Sequence, residues 1–181
     1  MKLLPEMLAE WVTTDLTPEQ IADLLTMTGF ELEEILEVEG EPVLDVNIMA
    51  NRGDGASVMG LAREVQAKVG GATEKFRTYA APDRAPGFGA DASSGNATDH
   101  IVIDSELCAR FAILALDDVR NGPSPEWLQS RLRRMGQRPI SLLVDLTNYV
   151  MLELGQPLHA YDADKLSGGV FIVREAKAGE T

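Results

Sequence analysis

The sequence predicts an α+β fold, in which a small N-terminal α+β domain is followed by part of a mixed α/β domain. Hydrophobic content of 45% and charged content of 25% are typical of a globular protein. Helical and strand-like periodicities are interspersed without strict βαβ alternation. A run rich in Pro, Gly, Ser and Ala at 80–100 predicts a linker between a first domain, 1–79, and a second region, 101–181.

The first clear element is a helix that begins after Thr17 and ends at Gly29. Thr17 is the predicted N-cap, Pro18 occupies the first helical position, and Gln20 completes a capping box. Apolar residues then recur with helical spacing, so this helix has one face for a core.

Two strands and a second helix follow. Residues 30–38 mix Glu with apolar residues, and residues 43–48 alternate, which indicates two strands. The stretch 51–56, NRGDGA, predicts a turn in which Asp54 caps the next helix. Its Arg-Gly-Asp tripeptide also matches an integrin-recognition sequence, but a three-residue match has little weight. An apolar stripe over 58–69 predicts the helix itself.

The second half contains three predicted strands and two predicted helices. Residues 101–104 and 110–119 are strand-like, as are residues 170–176. A helix opens at Ser124-Pro125 and ends at Gly136. The next helix, 141–153, is apolar on most sides, so we expect it to be buried.

The net charge of −13 disfavours tight non-specific nucleic-acid binding, because such a surface repels phosphate. The exception is a cluster of arginines near the end of the 125–135 helix: Arg131, Arg133, Arg134 and Arg138. One interpretation is a solvated face whose cations favour the helix C-terminus. The other is contact with tRNA phosphate or an acidic partner, made by Arg131, Arg134 and Arg138.

Other patterns exclude several classes of site. The single cysteine, Cys108, forms no internal disulfide and is typical of a reducing compartment, so we expect a cytoplasmic location. No apolar stretch is long enough for a membrane span, and the N-terminus is unlike a signal peptide. His100 and His159 lack neighbours at metal-ligand spacing, so no metal site is expected. No phosphate-binding loop or complete catalytic constellation is present, and no cofactor is expected in this chain.

The stretch 147–162, TNYVMLELGQPLHAYD, places polar groups where core residues are expected. Thr147 and Asn148 lie on the predicted buried helix, while Pro157 directs the chain just before His159. Buried polar groups need partners, in the protein or in a ligand. These residues therefore either line a small polar pocket or bond each other and the loop backbone.

Long stretches of the chain resemble the beta subunit of bacterial phenylalanine–tRNA ligase. GPSPEWLQSRLRRMGQRPI and VDLTNYVMLELGQPLHAYDADKL resemble its editing domain. MTGFELEEI and LDVNIMANRGDGASVMGLAREV resemble its N-terminal domain. The resemblance thus assigns 1–79 to the N-terminal domain and 101–181 to the first part of an editing-type domain.

The resemblance implies a ligase subunit. Two alpha and two beta subunits would charge tRNA(Phe) with phenylalanine, using ATP and Mg²⁺, and the editing domain would hydrolyse mischarged Tyr-tRNA(Phe). The matching pocket positions are Thr147, Asn148, Pro157 and His159. A second site that hydrogen-bonds the tyrosine hydroxyl supplies discrimination that a phenylalanine pocket lacks.

The sequence also departs from the family. Only residues 39–42 stand where the family inserts an oligonucleotide-binding fold, and the family's editing domain continues past the position matching Thr181. We therefore expect negligible ligase activity and weak or no editing from the isolated chain. The alternative is a free-standing truncated relative that acts as a non-enzymatic amino-acid-binding or regulatory module. An incomplete sheet would also favour self-association or completion by a partner.

Overall fold

The computed structural model describes residues 1–76 and 101–180, which form two compact units. Residues 1–76 and 121–160 belong to the first unit, and residues 101–120 and 161–180 belong to the second. Mixed helices and sheets confirm the α+β class. The predicted linker, 80–100, and His100 lie outside the described residues, and the two units group the chain differently from the predicted domains.

The sheet of the first unit has three antiparallel strands in the order β1-β3-β2: β1 (Lys2–Leu3), β2 (Leu32–Val38) and β3 (Glu41–Val46). β2 and β3 form a hairpin whose two turn residues, Glu39 and Gly40, have φ of +56° and +79°. Such positive angles match the twist of flanking strands in a tight hairpin. The predicted strands β2 and β3 are confirmed, whereas β1 is too short to show a period.

The helices named in the described part of this unit are α1 (Pro5–Ala9), α2 (Pro18–Met27), α3 (Val58–Val69), α4 (Glu126–Arg134) and α5 (Leu142–Leu154). The predicted capping box is confirmed, since Thr17 and Gln20 exchange both bonds. The prediction that Asp54 caps α3 is wrong. Ser57 is the N-cap and accepts a bond from the Gly60 N–H, because Asp54 pairs with Arg52 instead.

The core of the first unit lies among β1, β3 and the helices. The largest of its fully buried side chains come from β1, β3, the helices α1 to α4 and the adjoining loops: Trp11, Phe30, Leu3, Leu4, Met7, Leu8, Leu25, Leu44, Leu61, Leu128 and Leu132. Leu128 and Leu132 are four residues apart, so they lie on one face of α4. Burying this face attaches α4 to the N-terminal half of the chain.

The second unit contains a two-stranded parallel sheet of β4 (Ile101–Asp104) and β5 (Phe171–Arg174). Both strands match the sequence prediction. The Phe171 ring packs edge-on against the Tyr161 ring, with a centroid distance of 5.0 Å. No described residue of this unit falls in the buried class, although parallel strands are usually covered on both faces.

The predicted strand at 110–119 is wrong, because residues 111–120 are irregular in the structure. Asp118 has φ of +56°, which a strand does not accommodate. Within the described residues, β4 and β5 pair only with each other. No helix in the described part of the chain has the length and apolar character needed to cross a bilayer.

Candidate functional site

Helix α5 carries two of the predicted pocket residues, and its inward face is polar. Asp145, Tyr149 and Glu153 recur every four residues, so they share one side of the helix. All three are buried, whereas Val144 and Leu146 are exposed by 37% and 39%. The expectation that this helix is buried because it is apolar on most sides is therefore wrong: its buried residues are Asp145, Tyr149 and Glu153, and polar partners from other segments satisfy them.

Asp145 holds the start of α5 against the preceding loops. Its carboxylate accepts a hydrogen bond from the Ser124 hydroxyl and one of 2.8 Å from the Ile140 backbone N–H. Asp145 is fully buried, and burying a carboxylate costs free energy unless it has such partners. Its place in the first turn also lets the helix dipole stabilise the negative charge.

Tyr149 and Glu153 belong to a network that joins α5 to the N-terminal half. Arg131 donates to the Tyr149 hydroxyl at 2.7 Å and to the Glu10 carboxylate at 2.6 Å. Lys75 donates to Glu10 at 2.8 Å and also to Glu153. Glu10 therefore accepts from two cations, and each cation also holds one residue of α5.

This network keeps its charges at neutral pH. Burial alone would raise the pKa of Glu10, but hydrogen bonds from Lys75 and Arg131 outweigh it and hold this pKa below its ordinary value. Burial would likewise lower the pKa of Lys75, yet its bonds to Glu10 and Glu153 raise it. Burial, followed by the nearby Glu153 charge, raises the pKa of Tyr149. The phenol therefore stays neutral and available as a hydrogen-bond acceptor.

The predicted pocket residues lie along α5 and the loop that follows it. Thr147 and Asn148 are half-buried, and the Thr147 hydroxyl donates to the Val144 carbonyl at 2.7 Å. Pro157 and His159 are exposed. Gly155 starts this loop in the left-handed conformation, with φ of +78°. The structure thus places the four residues in one helix-loop segment, and their role as a pocket stays a prediction.

The larger of the two cavities described, about 440 Å³, lies elsewhere in the first unit. Its lining is Thr26, Gly29, Glu31, Met49, Asn51 and Arg52. Arg52 is held by Asp54, by Glu64 at 2.6 Å and by the Thr28 carbonyl at 3.1 Å. The guanidinium also lies 4.3 Å from the centroid of the Phe30 ring. The Arg-Gly-Asp turn is therefore held by contacts within the fold, although not by the Asp54 cap that the sequence predicted.

Most arginines of the cluster bind carboxylates of the same chain. Arg134 is nearly buried and donates twice to Glu6, at 2.6 and 3.1 Å. Arg133 pairs with Glu39 and Glu126. Sequence reasoning missed these pairs, because acidic residues far away along the chain supply most of the partners.

Arg138 differs from the other arginines of the cluster. Arg131 is bound to Glu10 and Tyr149, whereas Arg138 is exposed and has no ion-pair partner among residues 1–76 and 101–180. Counting only partners in the described ranges, it is the one of the three proposed phosphate contacts whose guanidinium is not already engaged. Within the same described ranges, no three His, Cys, Asp or Glu side chains are placed to share a metal ion.

Comparison with known proteins gives matches over most of the chain. Residues 107–181 match the family model of the B3/4 domain. The beta subunit of phenylalanine–tRNA ligase from Carboxydothermus hydrogenoformans is 43% identical over 153 residues, which are 84% of this chain and 18% of that subunit. The chain is similar to phenylalanine–tRNA ligase beta subunits.

Two further relatives bear the same description. The beta subunit from Anaeromyxobacter dehalogenans is 42% identical over 158 residues, or 86% of this chain and 18% of that subunit. The subunit from Rhodopseudomonas palustris is 46% identical over 142 residues, or 78% of this chain and 16% of that subunit. The chain thus spans 16–18% of the length of these relatives.

The domain match divides the α5 network. Arg131, Tyr149 and Glu153 lie within the matched residues 107–181, together with all four predicted pocket residues. Glu10 and Lys75 lie outside the match. Helices α4 and α5 of the matched segment therefore form hydrogen bonds with residues that lie outside the matched range.

Proposed function

We propose that this chain is a portion of a phenylalanine–tRNA ligase beta subunit in which α5 and its following loop form one wall of an editing pocket. Thr147, Asn148, Pro157 and His159 are the proposed wall. The observation that carries this proposal is the B3/4 match over 107–181, which contains all four residues. The beta-subunit relatives, at 40–46% identity, support the same assignment.

The geometry of the wall suits recognition of an aminoacyl group. The Thr147 hydroxyl donates its proton to the Val144 carbonyl, which leaves its oxygen free to accept a bond from a ligand. The Asn148 amide supplies both donors and an acceptor, and the exposed His159 ring is accessible to solvent. We assign these residues to binding and orientation of a tyrosyl ester, and no catalytic base to the chain.

The wider context of the proposal is the whole ligase. There the beta subunit would assemble with alpha subunits in the cytoplasm and act on tRNA(Phe). Arg138 is the preferred tRNA contact, because Arg131 and Arg134 are engaged by Glu10 and Glu6. ATP and Mg²⁺ would serve the aminoacylation site of the other subunit. The described residues offer no metal-ligand cluster for them, so no step through either is assigned to this chain.

L-tyrosinamide tests the proposed wall, because it carries the tyrosine side chain and replaces the ester with a soluble amide. Titration into isotope-labelled chain, followed by NMR, should shift the signals of Thr147, Asn148 and His159. L-phenylalaninamide should bind more weakly, since it lacks the hydroxyl. His159→Ala should weaken L-tyrosinamide binding roughly fivefold, the effect of one lost hydrogen bond of about 1 kcal/mol.

Asp23→Asn is a suitable control, because Asp23 is exposed on α2 and belongs to another surface. This variant should bind L-tyrosinamide as the parent does. Equal responses to the two amides, or shifts that bypass all three signals, would overturn the proposed pocket.

A further inference from the structure

The inward face of α5 presents directional polar contacts. Asp145, Tyr149 and Glu153 are 0%, 9% and 8% exposed, and each is bound to a side chain from another segment. Hydrogen bonds weaken steeply when their angle or length changes, so these contacts are directional. A helix held in this way has a defined rotation about its axis.

The rotation of α5 determines where the proposed wall points. Successive helical residues are turned by about 100°, so Asn148 lies about 100° from Tyr149 and Thr147 lies about 200° from it. Thr147 therefore faces away from the side that Tyr149 anchors. If α5 rotated about its axis, the side chains of Thr147 and Asn148 would turn by the same angle as the buried face.

The anchors of this face converge on one carboxylate. Lys75 reaches Glu153 on α5, and Arg131 reaches Tyr149 one turn earlier. Both cations also donate to Glu10, at 2.8 and 2.6 Å. The Lys75 ammonium also lies over the Trp11 ring, 4.6 Å from its centroid. Two successive turns of α5 are thus linked, through Arg131 and Lys75, to one carboxylate in the N-terminal segment.

We infer that Glu10, Lys75 and Arg131 are positioning residues, which fix the rotation of α5 through Tyr149 and Glu153 and thereby orient Thr147 and Asn148. The link to substrate rests on the proposed function, whereas the fixed helix rotation is a property of the chain itself. Glu10 and Lys75 lie outside the B3/4 match, so the N-terminal segment completes the site that the matched segment carries. Tyr149 and Glu153 hold the helix and do not touch the substrate.

Residual dipolar couplings of backbone amides test this inference, because they report helix orientation directly. The variants are Tyr149→Phe, which removes one hydroxyl and keeps the ring, and Lys75→Met, which keeps the apolar stem and removes the cation. We expect the couplings of 142–154 to depart from the structure in both variants, while those of α3, 58–69, still fit. Lys75→Arg should restore the α5 couplings.

Arg133→Met is the matched control. It removes an arginine from α4, the helix that carries Arg131. Arg133 binds Glu39 and Glu126 and makes no bond to α5. Its α5 couplings should remain those of the parent. If Lys75→Met fails to fold, Tyr149→Phe alone decides the test. Parent-like α5 couplings in Tyr149→Phe and in any folded Lys75→Met would overturn the inference.

L-tyrosinamide separates this inference from the proposed function. If the parent binds it, the shifts at Thr147 and Asn148 should be lost in Tyr149→Phe and kept in Arg133→Met. A binding response retained in Tyr149→Phe overturns the orienting role toward substrate. If the parent does not respond, the proposed pocket fails, and the α5 couplings still decide whether these residues fix the helix.

Discussion

At the residue scale, two glycines in and just after the 51–56 turn leave no room for a Cβ atom. A Cβ added to Gly60 would lie 2.0 Å from the Asp54 carbonyl oxygen, and one added to Gly55 would lie 2.1 Å from the Phe30 ring. Without these Cβ atoms the Asp54 carbonyl can approach the first turn of α3, and the Phe30 ring can pack against Gly55. By contrast, a Cβ added to Gly53 would meet no other atom within 4 Å.

Gly60→Ala should lower the free energy of unfolding by about 1–3 kcal/mol. Helix propensity alone would favour Ala by about 1 kcal/mol, but the backbone carbonyl of Asp54 cannot swing away as a flexible side chain would. Urea unfolding measures the difference. Gly53→Ala serves as the control and should stay within about 0.5 kcal/mol of the parent. A Gly60→Ala protein as stable as the parent would contradict the close contact.

Residues with distant partners show where sequence reasoning stops at this scale. The local pattern singles out Thr147 and His159. It contains no sign that Asp145 meets Ser124 or that Glu153 meets Lys75, 78 positions away. Hydrogen-bond partners so distant along the chain depend on tertiary packing, which hydrophobic periodicity does not encode.

At the scale of elements, helix starts show which side chains stabilise the fold locally. Ser57 is buried and its hydroxyl accepts from the Gly60 N–H at 3.0 Å, so it satisfies an otherwise unpaired donor of α3. Ser141 stands at the same position of α5 but makes no capping bond. Both serines therefore stand at an N-cap position, but only the Ser57 side chain makes a capping hydrogen bond.

Ser57→Ala should destabilise the protein by about 1 kcal/mol, the usual cost of losing an N-cap. Ser141→Ala should cost clearly less, because the start of α5 is held by Asp145. Chemical denaturation of both variants under one set of conditions gives the comparison. Equal losses would show that the two caps are equivalent.

Elements with local signals were predictable, and elements defined by packing were not. The Thr17 box and the apolar stripe of 58–69 predicted α2 and α3 correctly. Helix α1 has only five residues, which is too short for a helical period to show in sequence. Residues 110–119 have strand-like composition, yet in the described structure neither β4 nor β5 pairs with them. Strand formation depends on a neighbour as well as on propensity.

At the scale of the whole molecule, the acidic N-terminal half and the arginine-rich α4 complement each other. Arg131, Arg133 and Arg134 meet Glu10, Glu39 and Glu6, which come from three separate places in the first 39 residues. Three of the four arginines in the cluster thus join two parts of one unit, and Arg138 is the member left for the proposed tRNA contact. The two interpretations drawn from the sequence, a solvated face and a contact with phosphate or an acidic partner, both assume that the arginines are exposed to solvent.

The Glu10 network makes part of the stability depend on pH. The pKa of Glu10 is lowered in the folded state, so its contribution is full above the unfolded value of about 4.5 and is lost as pH falls through the folded pKa. Glu10→Gln should therefore reduce the unfolding free energy near neutral pH, by roughly 1 kcal/mol for a partly exposed pair.

The difference between the parent and Glu10→Gln should narrow steadily below about pH 4.5, because the parent carboxylate then takes up a proton and its bonds to Lys75 and Arg131 weaken. Urea midpoints measured for both proteins from about pH 7 to about pH 3 give this difference directly. Glu180→Gln provides a comparison outside the network, since Glu180 pairs with Arg174 in the second unit. A Glu10→Gln deficit that stays constant as pH falls would show that the Glu10 charge does not hold α4 and α5 in place.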